Sequence, residues 1–537
     1  MVASDRTGIA FNFLTDPIIR ARLISGEIGR FSLPALLAAL MHDEIESFPA
    51  LRPHQRHVWH AFLTEVGALA LFGKAETEPV ADEGHWRDIL RGLTAPWPDD
   101  APWCLVAPLD RPALLQPPVP EGSLNGFSLI ATPDELDMLV TSKNHDLKCS
   151  VARQNQAEDW FFALLSLQTQ EGFLGAGNYG ISRMNGGFAN RPGLGLAPPG
   201  GPGARLRRDM AVLRDTRNDL LKGDGSGFPE TGGLGLVWLE PWDGATSLSM
   251  GKLDPWYVEI CRRIRLELAG EMLCARGKST KAARIEAKVL SGVTGDAWAP
   301  LVIEKDKRKA FSVSGGGFDY RRMVQLLCDA TNIAPPPMQR VTPTDNVTGL
   351  EIVARGTARG QGKTEGFHER RVPVSAWIRH GWTRRASDPV AKLANERVED
   401  AGKITRGLRF ALSLLAEPDR AQSERMKPQT EKAIQPWVDR FDLAIDRAFF
   451  SNMEAEVTVL DDRIAAPAER ATWLRALHLS GQNLIEDAAA SLARGGMRRL
   501  RAIVRAQNAF SRSFYKASPH LRPAKPEAAA VSEEISP

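Results

Sequence analysis

The chain of 537 residues carries 68 Lys and Arg against 65 Asp and Glu, so its net charge of +3 points to no particular partner. Its length predicts two or three domains. A content of 43% hydrophobic and 25% charged residues is typical of a soluble globular protein, and no apolar run approaches the roughly 20 residues that cross a bilayer. Five scattered cysteines without Cys-x-x-Cys spacing argue against a zinc ribbon and a disulfide framework. Because no signal-peptide pattern opens the chain, we predict a cytoplasmic protein.

Short strands and helices are predicted at the start of the chain. The segment FNFLTDPIIRARL (11–23) predicts a strand, a turn and a second strand. A short helix follows with Ser32 as its N-cap, and residues 52–73 predict a longer helix from their apolar spacing. That longer helix carries three histidines, His54, His57 and His60. Only neighbouring pairs of them share a helical face, and no Cys or carboxylate stands at ligand spacing, so no metal site is predicted.

A polar, basic loop is predicted at SKNHDLK (142–148). Its His145-Asp146 pair resembles the core of metal-dependent phosphohydrolases, which leaves a metal-dependent nuclease as an alternative function. A lone His-Asp pair is equally typical of a turn with a solvated histidine.

A glycine-dense segment follows an amphipathic helix predicted over 158–170. Eleven of the 32 residues from Gly172 to Gly203 are glycine. Residues 175–180 match G-x-G-x-x-G, but the dinucleotide-binding loop requires a preceding strand, a following helix and an acidic residue about 20 positions on. Here a helix precedes the loop, and Pro-Pro-Gly-Gly stands where the acid belongs. We therefore predict no cofactor, and interpret the glycines as allowing close approach of the backbone to a partner.

The middle of the chain predicts further β segments. Residues 261–287 are basic and predict partly helical structure, and Lys288 is predicted to open a strand and turn. Residues 301–313 predict a strand–turn–strand around a basic tip. A hairpin is predicted farther on, in which Leu350 and Ile352 pair with Val372 and Val374, with ARGTARGQGKTEGF as its exposed tip.

From residue 388 onward, helical periodicity dominates. Four helices with short connections are predicted, which indicates an antiparallel bundle. Residues 488–526 contain nine Lys and Arg and no acidic residue, as expected of a surface that binds phosphates. The predicted fold class is α+β: a mixed, loop-rich body over 1–380, a four-helix bundle over 387–520, and a disordered tail over 521–537.

Three segments carry a resemblance to a known family: FNFLTDPIIRAR, QTQEGFLGAGNYGISRMNGGF and ARGTARGQGKTEGF. In their order and setting they resemble the large subunit (CasA) of the type I-E Cascade CRISPR surveillance complex, an antiviral defence system. The resemblance implies a non-catalytic subunit that recognises the protospacer-adjacent motif (PAM) of double-stranded target DNA in the minor groove. It also implies that the subunit starts unwinding, stabilises the R-loop and recruits the helicase–nuclease. The implied partners are target DNA, the 5′ handle of the guide RNA, the other Cascade subunits and that helicase–nuclease.

The resemblance also assigns roles to residues of this chain. A glycine loop that approaches the PAM falls on Gly172, Gly175, Ala176 and Gly177. A glutamine wedge falls on Gln361, flanked by Arg359, Gly360, Gly362 and Lys363. A PAM-contacting lysine falls on Lys288, with Lys305 and Lys307 as alternatives. A loop at the guide-RNA handle falls on Lys143, Asn144, His145 and Lys148.

Two further expectations complete the sequence-based interpretation. The path of the displaced strand is predicted on the arginines of the last helix, Arg498, Arg499, Arg501 and Arg505. Some members of the family carry a cysteine cluster suited to zinc, whereas this chain has only Cys261 and Cys274 in that region, so no zinc is predicted. The alternatives stay open: an ordinary tight loop for the glycines, solvated surface positions for Lys288 and Gln361, and a helical scaffold without a DNA role.

Overall fold

The structure is a computed structural model that describes residues 8–137, 156–184, 186–223, 227–305, 307–360, 363–382, 388–418, 420–421, 424–493 and 496–523. The chain divides into two compact units, one up to Ser375 and one from Ala376. The first mixes helices with short strands and the second is helical, which confirms the predicted fold class.

The elements of the first unit are short and separated by long connections. Its strands are β1 Ala10–Asn12, β2 Ile19–Leu23, β3 Ile28–Phe31, β4 Ile45–Ser47, β5 Cys104–Val106, β6 Ser128–Ile130, β7 Gly193–Ala197, β8 Leu234–Leu236, β9 Leu248–Ser249, β10 Leu253–Val258, β11 Arg263–Ala269, β12 Met272–Lys278, β13 Ile285–Glu286, β14 Leu301–Glu304, β15 Lys307–Ala310, β16 Ile333–Ala334, β17 Glu351–Gly360 and β18 Lys363–Pro373. Its helices are α1 Leu33–Met41, α2 Gln55–Gly73, α3 Glu83–Gly92, α4 Pro133–Leu136, α5 Ala157–Gln170, α6 Pro202–Lys222 and α7 Tyr320–Cys328.

The strands form several small open sheets. The three-stranded sheets have the orders β3-β2-β4, β11-β12-β6, β15-β14-β16 and β18-β17-β7. All of their pairings are antiparallel, whereas β10–β8 and β13–β9 pair in parallel. Because no sheet is wide, much of the main chain in this unit lies in loops.

Helix α2 lies in the core of the first unit, and residues on all sides of it are buried. Its Trp59 ring packs against Phe62 and against Phe161 and Phe162 of α5, with centroid separations of 5.9, 5.7 and 5.4 Å. These aromatic contacts hold α5 inside the core. Helix α5 therefore leads into the glycine-dense segment from a fixed position.

The predicted hairpin is present, and its strands are longer than predicted. Ile352 lies opposite Val372, as predicted, and the pairing continues to Gly360 opposite Lys363. Residues 354–358 are buried because β17 also pairs with β7 on its other side. The exposed tip is correspondingly shorter than predicted.

Two other predictions in the first unit were wrong, and one helix was missed. Residues 261–287 form β11 and β12 rather than a partial helix. Lys288 begins a short 3-10 turn, Lys288–Leu290, after β13 rather than a strand. Helix α6 occupies the arginine-rich segment after the glycines, which the sequence analysis left without a predicted element.

The second unit consists of long helices that follow a short one at the boundary. In chain order they are α8 Ser375–Arg379, α9 Pro389–Ala416, α10 Pro428–Thr458, α11 Ala465–Leu492 and α12 Met497–Ala517.

Side-chain contacts show that consecutive long helices run antiparallel. Early in α9, Arg397 pairs with Glu456 late in α10, whereas Arg409 pairs with Glu431 early in α10. The pairs Arg440–Asp487 and Gln507–Glu486 connect α10 to α11 and α11 to α12.

Two further findings apply to the described part of the chain. None of its helices is both long and apolar enough to cross a membrane. It also contains no group of three or more His, Cys, Asp or Glu side chains arranged to hold a metal ion.

Candidate nucleic-acid interface

The glycine loop leaves α5 at Glu171 and returns to the core at Arg191. Main-chain hydrogen bonds close its base, from Phe173 N to the carbonyl oxygen of Gly187 (3.1 Å) and from Ile181 N to that of Glu171 (3.0 Å). A third bond, from Arg191 N to the carbonyl oxygen of Gln170 (3.1 Å), closes the loop at the helix end. The loop is therefore a closed structure with a defined tip.

The tip is a tight turn that presents backbone to solvent. Leu174 N donates to the carbonyl oxygen of Asn178 (2.9 Å), and Asn178 N donates to that of Gly175 (3.0 Å). Gly175 and Gly177 have φ values of +119° and +83°, which favour glycine. Ala176 and Asn178 are exposed, and no atom of the described chain lies within 4 Å of the position that a Cβ at Gly175 would take.

Gly172 differs from the tip glycines. It is buried, and a Cβ there would collide with the carbonyl oxygen of Ala189 on the returning side of the loop. The backbone that approaches Gly172 closely is therefore that of its own chain. Its predicted contact with DNA stays a prediction, but its lack of a side chain has an internal explanation.

A buried carboxylate joins the loop to the end of the β17–β18 hairpin. Glu171 is 1% exposed. Its Oε1 accepts a hydrogen bond from Arg359 Nη1 (2.6 Å), and its Oε2 accepts one from Arg262 Nη2 (3.2 Å). Arg262 Nη2 also donates to the carbonyl oxygen of Gly172 (3.2 Å). This cluster, the Glu171 junction, fixes the loop base against the hairpin two residues before Gln361.

The Glu171 junction changes how Arg359 is understood. The resemblance assigned Arg359 to the DNA-contacting flank of the wedge, but its side chain is 6% exposed and paired with Glu171. Its side chain therefore connects the hairpin to the base of the loop. The sequence analysis did not identify Glu171 or Arg262, although a carboxylate directly before a glycine run was a possible signal.

The last described pair of the hairpin follows a shift in strand register. The strand register shifts between Ala358 and Arg359, and Gly360 then lies opposite Lys363. Gln361 and Gly362, together with the side chain of Lys363, lie outside the described residues.

Lys288 lies across an open cavity from the glycine loop. The cavity has a volume of about 490 Å³ and is lined by Phe173, Tyr179 and Gly187 on one side and by Ile285 and Lys288 on the other. The Lys288 side chain is exposed. The structure therefore brings together the glycine loop and Lys288, which are more than 100 positions apart in the sequence.

The two alternative lysines lie at the tip of the β14–β15 hairpin. Lys305 and Lys307 are both exposed, and Lys305 has a φ of +56° in the tight turn. A hydrogen bond from Ala310 N to the carbonyl oxygen of Ser291 (2.9 Å) connects this hairpin to the turn that carries Lys288. All three lysines therefore belong to adjoining segments.

The predicted guide-RNA loop cannot be compared with the structure. Lys143, Asn144, His145 and Lys148, and the Asp146 of the alternative nuclease site, lie outside the described residues.

The two cysteines considered for zinc are buried. Burial raises the pKa of the Cys261 thiol to about 12, and it also raises the pKa of Cys274. Both thiols are therefore protonated at neutral pH.

The last helix exposes arginines and apolar side chains together. Arg498, Arg501 and Arg505 are exposed, whereas Arg499 is half-buried and donates to the carbonyl oxygen of Ala490 (3.5 Å). The same helix exposes a set of apolar residues that the sequence analysis did not single out. These are Met497, Leu500 and Val504.

Comparisons with known proteins identify the fold. No family model and no curated protein matches the sequence. Among solved structures, a CasA of Thermus thermophilus is 14% identical with a TM-score of 0.62, and the match covers 94% of this chain and all of that one. Cse1 of Thermobifida fusca is 14% identical with a TM-score of 0.61, covering 96% of this chain and 99% of that one. A chain of a CRISPR RNA-guided surveillance complex is 13% identical with a TM-score of 0.59, and the match covers 94% of this chain and 100% of that one. The chain has the CasA/Cse1 fold over nearly its whole length.

Proposed function

We propose that this chain is the non-catalytic large subunit of a type I-E CRISPR surveillance complex, and that it recognises the PAM of target DNA from the minor groove. The shared fold supports the subunit role. The Glu171 junction is the observation that carries the recognition role, because Arg359 and Glu171 hold the base of the glycine loop beside the hairpin that ends at Gln361. Duplex recognition and strand opening would then be performed by adjoining parts of one rigid framework.

The exposed tip of the glycine loop suits a narrow groove. The minor groove of B-DNA is about 6 Å wide and offers mainly acceptors, with the guanine amino group as its distinguishing donor. The turn at Gly175 and Gly177 offers backbone without bulky side chains. The carbonyl oxygens of both glycines already accept main-chain hydrogen bonds, from Asn178 N and Thr280 N, and each has a second lone pair for a groove donor. Lys288, across the cavity from this loop, supplies an ammonium group that donates to groove acceptors. Lys305 and Lys307 add phosphate affinity that depends on salt.

Gln361 is the proposed wedge. It stands at a two-residue connection between paired strands, and a glycine lies on each side of it. Its amide both donates and accepts, so it can replace base-pair hydrogen bonds when it enters the end of a duplex. Opening the first step costs a few kcal/mol. Pairing between guide and target then balances the strand separation that follows.

The remaining roles complete the proposal. Residues 142–148 contact the 5′ handle of the guide RNA, and the exposed arginines of α12 follow the displaced strand. The chain assembles with other Cascade subunits in the cytoplasm and recruits a helicase–nuclease that performs the cleavage. No cofactor is required.

Binding of duplexes randomised beside the target tests the proposal. In a complex reconstituted with guide RNA, we expect the wild type to enrich particular flanking sequences. Gln361→Ala should keep this preference but open the first base pairs about tenfold more slowly, as measured by fluorescence of a base analogue at that step. Lys288→Ala should weaken the preference itself. Gln429→Ala changes an exposed glutamine of α10 and serves as the matched control.

Two results would contradict the proposal. If the wild type binds all flanking sequences equally, PAM recognition by this subunit fails. If the isolated chain cleaves DNA with a metal ion and loses this activity in His145→Ala, the nuclease alternative is favoured instead.

A further inference from the structure

A second cavity in the first unit is lined by arginines from four elements. It has a volume of about 400 Å³ and shares no lining residue with the cavity beside Lys288. The arginines lie on α2, on the first turn of α6, on β17 and on β18. They are Arg56, Arg205, Arg355 and Arg371. One acidic side chain, the exposed Glu46, also lines the cavity.

Two of these guanidinium groups already have carboxylate partners. Arg355 Nε donates to Glu369 Oε2 (2.9 Å), and Arg371 Nη1 donates to Glu351 Oε2 (2.9 Å). These ion pairs fix the positions of Arg355 and Arg371 on the wall of the cavity. They also neutralise the negative charges of the two hairpin carboxylates, Glu351 and Glu369.

Arg205 has only a longer ion pair, with Asp209, and it shares that carboxylate with His60 and Arg208. Its side chain is 12% exposed, and its Nε is buried with no hydrogen-bond acceptor among the described residues. The nearby Asp209 Oδ2 lies 3.7 Å from Nε and already accepts a hydrogen bond from His60 Nε2 (2.7 Å). Burial lowers the pKa of Arg205 to about 10, and the positive charges of Arg355 and Arg371 act in the same direction. The group still carries its charge at neutral pH, and the one carboxylate of Asp209 is shared between Arg205 and Arg208, so positive charge is in excess at the site.

The start of α6 adds backbone donors to the same cavity. The helix has 21 residues, begins at Pro202, and has no side-chain cap and no acidic residue in its first turn. Gly200 and Gly201, which precede it, line the cavity. The first-turn N–H groups of a helix and its positive dipole end favour a bound anion.

We propose that this cavity binds a phosphoryl group. Guanidinium forks match the tetrahedral oxygens of phosphate, and the negative charge of a phosphoryl group offsets the positive charge concentrated around Arg205. Phe48, Trp59 and Leu63 form an apolar wall beside the arginines that accommodates the organic part of a phosphate ester. The volume lies within the range of small-molecule sites. The same chemistry is offered by a free phosphate ester and by a backbone phosphate of a nucleic acid.

Binding to the isolated full-length chain tests the site without duplex DNA or guide RNA, so its failure is separate from failure of PAM recognition. Calorimetry with AMP should show one saturable site, inorganic phosphate should compete, and adenosine should not bind. Arg205→Gln should weaken AMP binding about tenfold or more, because it removes a charge-assisted contact. Arg214→Gln removes an exposed arginine of the same helix, paired with Glu78, and should leave AMP binding unchanged.

Competition between AMP and a short single-stranded oligonucleotide without terminal phosphates distinguishes a free phosphate ester from a nucleic-acid phosphate as the natural ligand. If the oligonucleotide competes with AMP in the wild type, and is bound less well by Arg205→Gln, the natural ligand is a nucleic-acid phosphate. If AMP binds and the oligonucleotide does not compete, the ligand is a free phosphate ester. Arg56→Gln, at an exposed position, repeats the test should Arg205→Gln fail to fold. The proposal is overturned if neither AMP nor the oligonucleotide binds, or if both variants bind as the wild type does.

Discussion

Arginine side chains have opposite surroundings in the core of the first unit and in the last helix of the second. In the first unit, Arg183 and Arg191 are at most 2% exposed and pair with Glu65, and Arg191 also pairs with Asp296. In the last helix of the second unit, Arg498 and Arg501 are exposed. The same residue type is therefore part of the interior at the first pair of positions and part of the surface at the second. Local charge counts in the sequence cannot distinguish these roles.

The loop-rich construction of the first unit explains why it buries arginines. Narrow sheets leave main-chain carbonyl groups without strand partners, and a buried carbonyl needs a donor. Arg265 provides such donors, with Nη2 2.7 Å from the carbonyl oxygen of Ala107 and 3.0 Å from that of Pro108. Arg262 does the same for Gly172. The last helix satisfies its carbonyl groups within the helix, so the exposed Arg498 and Arg501 are not required as their donors.

The largest expected effect comes from removing one buried carboxylate. Glu171→Gln leaves the guanidinium groups of Arg262 and Arg359 without a compensating charge, and we expect a loss of about 3–5 kcal/mol in the free energy of unfolding. Urea denaturation measures this loss. The matched change Glu78→Gln removes a carboxylate that is 78% exposed and paired with Arg214, and it should cost about 0–1 kcal/mol. Equal costs for the two variants would show that burial does not set the strength of these pairs.

A smaller loss of the free energy of unfolding is expected when the pH is lowered. Burial lowers the pKa of His60 to about 4, against about 6.5 for an unfolded histidine. The unfolded chain therefore binds a proton at this histidine below about pH 6.5, whereas the folded chain binds it only below about pH 4. This contribution to stability is fully present above pH 6.5 and is lost as the pH falls towards 4, by about 2 kcal/mol at pH 5.

The contribution of His60 is isolated by comparing two variants. The free energy of unfolding of His60→Gln should fall less steeply between pH 7 and pH 5 than that of the wild type. His42→Gln, at an exposed position, should keep the wild-type slope. A wild-type slope in His60→Gln would contradict the assignment.

The smallest effect on stability is expected from the exposed arginines. Replacing Arg498 and Arg501 by Gln should change the free energy of unfolding by at most about 0.5 kcal/mol. The variant should nevertheless reduce the salt dependence of DNA binding by the reconstituted complex, lowering the logarithmic slope by about 1 for each residue. Arg475→Gln, an exposed arginine on α11, gives the comparison for general charge loss. An unchanged slope in the double variant would show that α12 does not contact the displaced strand.

Elements in which apolar residues recur with a clear period were predictable from the sequence. The long helices of the second unit follow from apolar spacing, and the register of Ile352 opposite Val372 follows from alternation. The prediction of partly helical structure for residues 261–287 was wrong, since its basic residues Arg263 and Arg265 are buried in strand β11. Charge in the sequence does not indicate whether a buried partner exists.

The candidate site was predictable only in parts. The glycine run and the hairpin were recognisable as separate segments. Their connection through Glu171 and Arg359 spans 188 positions, and no local pattern links residues so far apart. The arginine-lined cavity could not be predicted from local patterns either, because its four arginines come from elements that only the fold brings together.

The Glu171 junction restricts how this sequence can evolve. Changing Glu171 alone leaves two buried positive charges, and changing Arg359 alone removes one of the two hydrogen bonds on its carboxylate. Each single substitution is therefore expected to be unfavourable, whereas a simultaneous replacement of Glu171, Arg262 and Arg359 by neutral residues is acceptable to the fold. Positions 171, 262 and 359 are expected to change together across descendants of this chain. Their covariation would record a shared constraint on the glycine loop and the hairpin in sequences for which no structure has been determined.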